Sequence, residues 1–82
     1  MLRSGDFQKA VKRFENVTTL PNATATDKLE SHYMLVECYK QLNQPDKVLA
    51  NLDACIQLSA YDKALQAEFV RAKKNFENGS QK

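Results

Sequence analysis

Among its 82 residues this chain has no tryptophan, two glycines, two prolines, two cysteines and a single histidine. The two glycines, Gly5 and Gly79, lie at opposite ends, which excludes the glycine-rich loops that cradle phosphate groups. His32 has no orienting partner for a catalytic triad, and Cys38 lies more than one and a half helical turns away, the wrong geometry for a shared metal ion. Glu30 and Glu37 lie about 10 Å apart along a helix, which suits a solvated face better than an acid–base pair. No catalytic residue, metal ligand or cofactor is therefore expected, and the chain does not read as an enzyme.

Long apolar runs are also missing. Nothing approaches the roughly 18 consecutive apolar residues of a membrane span. Gly5, Asp6, Gln8 and Lys9 interrupt any signal-peptide core near the N-terminus. Neither sign of charge dominates: 12 basic and 10 acidic residues leave +2, and the basic ones are spread over several faces, so no nucleic acid is expected as a partner. Sequons occur at Asn16, Asn22 and Asn78, but without a secretion signal they carry little weight. The expected location is cytoplasmic. Cys38 and Cys55 each fall on or beside an apolar helix stripe and read as reduced core residues, since disulfides are unusual in a reducing compartment.

What is present is helical periodicity. Between residues 28 and 42, Leu29, His32, Leu35, Val36, Tyr39 and Leu42 follow the spacing of one helix face. Val48, Leu49, Leu52, Cys55 and Ile56 do the same between 45 and 58. The short break at Asn43-Gln44-Pro45 folds these two helices into a hairpin, with Pro45 in the first turn of the second, where no N–H is needed. Before the hairpin, Phe7, Ala10, Val11, Phe14, Val17 and Leu20 predict a helix over 7–20, ended by Pro21. Gly5 reads as the end of a preceding helix and Asp6 as an N-cap, so the chain is expected to be a fragment of something larger. Asp27 with Glu30 has the spacing of a capping box and starts the second helix near Lys28. Asp62 caps a fourth helix over 62–77, with Leu65, Phe69, Ala72 and Phe76 on one side and Lys63, Glu68, Arg71, Lys73 and Lys74 on the other. Asn78-Gly79-Ser80 reads as a C-cap followed by a frayed tail. The fold class is all-α, with residues 1–82 in one domain.

The helices also repeat one another. At an offset of 38 residues Lys9 falls on Lys47, Phe14 on Leu52, Glu15 on Asp53 and Leu20 on Leu58. At an offset of 34, Leu35 falls on Phe69, Val36 on Val70 and Cys38 on Ala72. Periods of this size built from helix pairs mark a helical solenoid. The run Gly5-Asp6-Phe7-x-x-Ala10-x-x-x-Phe14-x-x-Val17 resembles the second half of a tetratricopeptide repeat. Leu35-Val36-x-x-Tyr39-x-x-x-Asn43 resembles the end of that repeat's first helix, with Val36 where glycine is usual. In the following hairpin Pro45 replaces an aromatic and Val48 an alanine, so that repeat is degenerate. The helix from Asp62 onward resembles the capping helix that closes such arrays.

The resemblance implies a short right-handed solenoid of stacked antiparallel hairpins whose concave groove binds a peptide or helix of a partner protein. Carried over by position, Glu30, Tyr33, Met34, Glu37, Lys40 and Gln41 of the second helix would face that groove, with Arg71, Lys74 and Asn75 as their counterparts on the fourth. Tyr33 and Glu37 stand where some family members carry the basic or amide residues that grip a C-terminal carboxylate, so a clamp of that kind is not expected. The alternative is a structural segment that associates with a missing helix or a second copy through Phe7, Val11 and Phe14.

Overall fold

In the computed structural model, which describes residues 4–79, four helices follow one another: α1 (Ser4–Thr19), α2 (Ala25–Gln41), α3 (Pro45–Leu58) and α4 (Lys63–Gly79). No strand occurs among the described residues. Each helix packs on its neighbour in sequence, α1 on α2, α2 on α3 and α3 on α4, and no other pair brings its backbones together. The molecule measures 35 × 34 × 20 Å. Its short dimension is about two helix diameters.

The core follows from that order. Leu29, Leu35, Val36, Cys38 and Tyr39 of α2, Val48, Leu52 and Cys55 of α3, Val11 of α1 and Phe69 of α4 are buried together. Because α2 has a neighbour on each side, its buried residues occupy more than one stripe. A terminal helix has one neighbour and buries less, so α4 contributes only Phe69 fully, with Leu65 and Phe76 half-buried against the cluster. The offset of 34 residues thus keeps burial at Leu35 and Phe69, but Val36 is buried where Val70 is 38% exposed. Val48 and Cys55 are completely buried, and Leu52 is nearly so. Burying a leucine of this kind stabilises the fold by about 2 kcal/mol.

Polar contacts fix the register between helices. The Tyr39 hydroxyl donates to Glu15 Oε2 at 2.9 Å, tying α2 to α1. His32 Nδ1 lies 2.8 Å from Asn51 Oδ1, tying α2 to α3. Asn51 Nδ2 donates to the Lys47 carbonyl at 2.8 Å, which orients its oxygen toward His32 and makes Nδ1 of His32 the donor. Gln66 Nε2 donates to the Ile56 carbonyl at 2.8 Å and Lys73 Nζ to Asp53 Oδ1 at 2.6 Å, both between α4 and α3.

The helix ends revise three expectations. Gly5 lies inside α1 with a negative φ, so it terminates nothing, and Asp6 sits in the first turn, where a carboxylate complements the positive end of the helix dipole. Leu2, Arg3 and Ser80 lie outside the described residues. The capping box of α2 is one turn earlier than Asp27–Glu30. The Thr24 hydroxyl accepts from the Asp27 N–H at 3.0 Å, and the Asp27 carboxylate accepts from the Thr24 N–H at 3.3 Å. The box tolerates aspartate as its second acid, so Asp27 closes a pair that begins at Thr24 and starts α2 at Ala25. Gly79 is the last residue of α4 rather than a left-handed cap.

Two other ends agree with their sequence signals. Asp62 Oδ1 accepts from the N–H groups of Ala64 and Leu65 at the start of α4. At the α2–α3 turn, Asn43 adopts φ 60°. Its N–H donates to the Lys40 carbonyl and that of Gln44 to the Tyr39 carbonyl, the paired bonds of a Schellman motif. Asparagine takes the position more often held by glycine, because its short polar side chain tolerates the left-handed region.

Candidate functional site

The two hairpin turns bring the first halves of α2 and α4 alongside each other, and an open groove of about 680 Å³ runs between them. Its α2 wall is Thr26, Leu29, Glu30, Tyr33 and Met34, and its α4 wall is Leu65, Glu68, Phe69 and Ala72. Tyr61, in the turn before α4, completes the lining. Helical geometry explains the selection. Residues 26, 29, 30 and 33 recur on one side of α2, and 65, 68, 69 and 72 on one side of α4.

The groove collects exposed apolar surface. Tyr33 (48%), Met34 (41%) and Tyr61 (66%) are three of the five large hydrophobic side chains that stay exposed among the described residues. The Tyr33 ring meets Phe69 edge to face, with centroids 6.1 Å apart. That contact joins the two walls and holds the tyrosine in place, a geometry favourable for aromatic pairs. The only charged residues in the lining are Glu30 and Glu68, one from each wall.

The structure brings together some of the residues expected from sequence and separates others. Glu30, Tyr33 and Met34 line the groove. Glu37 and Lys40 are exposed beyond it and face each other at 3.4 Å, and Gln41 is exposed at the end of α2. Lys40 and Asn75 border a separate hollow of about 550 Å³ with Tyr39, Pro45 and Phe76. Arg71 and Lys74 lie on the other side of α4, with Lys63, Gln66, Ala67 and Val70. The reason is geometric. At the offset of 34 residues Arg71 and Lys74 correspond to Glu37 and Lys40, which themselves lie beyond the groove, and on α4 they fall on the side opposite Leu65, Phe69 and Ala72.

Sequence reasoning missed Tyr61 and Glu68. Tyr61 stands in a turn, outside any helical period. By charge Glu68 reads with the outer side of α4, although its spacing of three from Leu65 and four from Ala72 places it beside the apolar stripe. Lys73, placed on the same outer side, instead reaches α3, and its hydrogen bond to Asp53 raises its pKa.

The groups with the largest shifts are in the core. Burial pushes the Cys55 thiol up to about 11 and also raises that of Cys38. Burial, helped by the hydrogen bond to Glu15, raises the Tyr39 phenol to about 12. Both cysteines are free and buried, as expected of core residues. Thiols held protonated in this way are inert packing groups. Among the described residues no three His, Cys, Asp or Glu side chains converge as metal ligands, and no helix is long and apolar enough to cross a membrane. The groove offers apolar contact and two carboxylates.

Comparison with known proteins finds no matching family model, no similar curated protein and no similar solved structure.

Proposed function

We propose that the chain is a protein-interaction module of tetratricopeptide type, in which the α2–α4 groove binds a peptide or helix of a partner protein. The observation that carries this reading is the convergence of Tyr33, Met34 and Tyr61 on one groove. Large, partly exposed tyrosine and methionine side chains are favoured anchors at interfaces. Each wall offers a length of about 10 to 12 Å, about two helical turns, which suits a short segment of chain. The serial packing of α1 to α4 and the repeat offsets support the solenoid, with α4 as its cap. As a binding module it would perform no catalysis and take its partner in the cytoplasm.

The test is selection of a random-peptide display library on the folded chain, followed by measurement of the selected peptides on Met34→Ala. Met34 is exposed, so the substitution spares the core. Loss of affinity on Met34→Ala supports the groove. Failure to recover any binder, or binders indifferent to Met34, counts against it.

A second reading has its own observation. Helix α1 packs on α2 alone, and Phe7 and Phe14 remain half-buried. Self-association through α1 would cover them, although Val11 is already buried within the single chain. Light scattering across a range of concentrations separates the two: a constant monomer mass leaves the groove as the binding surface, and a dimer sensitive to changes at Phe7 favours α1.

A further inference from the structure

We infer that the occupant of the α2–α4 groove is a segment of a partner protein that presents apolar side chains flanked by lysine or arginine. This rests on the interaction reading above and adds the charge of the partner. Glu30 and Glu68 stand on opposite walls of the groove, and no lysine or arginine lines it. Neither carboxylate has an ion-pair partner among the described residues. The cations of α4 are directed elsewhere: Lys73 is bound to Asp53, and Lys63, Arg71 and Lys74 lie on the outer side. Further along α2, Glu37 is matched by Lys40.

The groove is thus an apolar floor between two unmatched negative charges. An acidic or phosphorylated segment would bring like charges against both walls. A neutral apolar segment would leave both carboxylates partly desolvated without compensation, which is costly. A cationic segment satisfies both, and complementary charge at the rim also speeds encounter.

The experiment uses two fluorescent peptides of identical length built from leucine, alanine and lysine, or from leucine, alanine and glutamate. Binding is followed by anisotropy at low and high ionic strength. The lysine peptide is expected to bind at least tenfold more tightly, with the difference shrinking as salt is raised. The double variant Glu30→Gln with Glu68→Gln should weaken the lysine peptide about fivefold and narrow the preference, with an unchanged melting curve because both carboxylates are exposed. Met34→Ala should weaken binding of the lysine peptide. Equal affinity for both peptides, together with sensitivity to Met34→Ala, would overturn the charge preference and leave the groove reading intact. Lysine-peptide binding that ignores the double variant would also overturn it, as would no binding of either peptide; the groove reading is then judged by the library selection alone. Self-association abolished both by the double variant and by Lys74→Glu would overturn it in favour of a second copy, docking through the basic outer side of α4.

Discussion

Cys55, Cys38 and Tyr39 show what burial does to individual side chains here. The Cys55 thiol is fully enclosed between α3 and α2, with Sγ 4.0 Å from the Leu29 carbonyl. Its pKa rises from 9.0 to about 11 because the thiolate would lose its solvation. The folded state therefore holds this proton over a range in which the unfolded chain releases it. Below pH 9 the group has no effect on the pH dependence of stability, and between pH 9 and about 11 stability must fall. Tyr39 acts in the same direction, from pH 10 to about 12. Thermal melts stepped upward from neutral pH should decline across these windows, and Cys55→Ala should decline less steeply than the parent. A melting temperature that is flat to pH 11 would contradict the burial of these groups. At neutral pH a thiol reagent should label neither cysteine until denaturant is added. Tyr39→Phe, which deletes one hydrogen bond to a carboxylate on α1, should cost about 1 kcal/mol in a urea titration.

At the scale of elements, the caps decide where helices begin and end. Thr24 and Asp27 share the α2 capping box, so Thr24→Ala should lower stability by about 1 kcal/mol. Glu30→Gln serves as the control and should leave stability unchanged, since Glu30 faces the groove instead of the helix start. If Glu30→Gln proved the more damaging, the cap would be misplaced. Asn43 tests the other end of α2. Asn43→Ala forces an ordinary residue into the left-handed region and should cost about 1 kcal/mol, whereas Asn43→Gly should be neutral or stabilising. Denaturant midpoints of the two variants give the comparison directly.

For the whole molecule, the order of packing sets which positions are critical. Helices α2 and α3 each have two neighbours, so a cavity there loosens several elements at once. Leu52→Ala should cost about 2 to 5 kcal/mol, a large fraction of the stability of a chain this small. Val70→Ala, on the outer side of α4, should change stability by less than about 0.5 kcal/mol. Phe14→Glu separates the two proposed uses of α1. Phe14 is half-buried against the core, so a chain that works as a monomer should lose folded structure, while a chain that dimerises through α1 should become a folded monomer. Circular dichroism and light scattering on the same sample distinguish these results.

The four helices, their approximate limits and most of the core were legible in the residues themselves. Apolar spacing at three and four positions, Pro21, the Asn43–Pro45 break and the Asp62 cap are local signals, and local backbone chemistry answers to them directly. Two helix starts were read less well: both Thr24 and Asp27 can cap, and Gly5 can sit within a first turn as readily as end a helix. The groove was legible only in part. Glu30, Tyr33 and Met34 could be assigned from one helix because its buried stripe shows which side remains free. Arg71, Lys74 and Glu68 depended on which side of α4 turns toward α2, and Tyr61 on the path of the turn before it. That orientation is set by the packing of Phe69, Leu65 and Phe76 against the core and by Lys73 reaching Asp53. Periodicity states that a helix has an apolar side; only the packing of one helix on another decides what that side, and the residues beside it, will face.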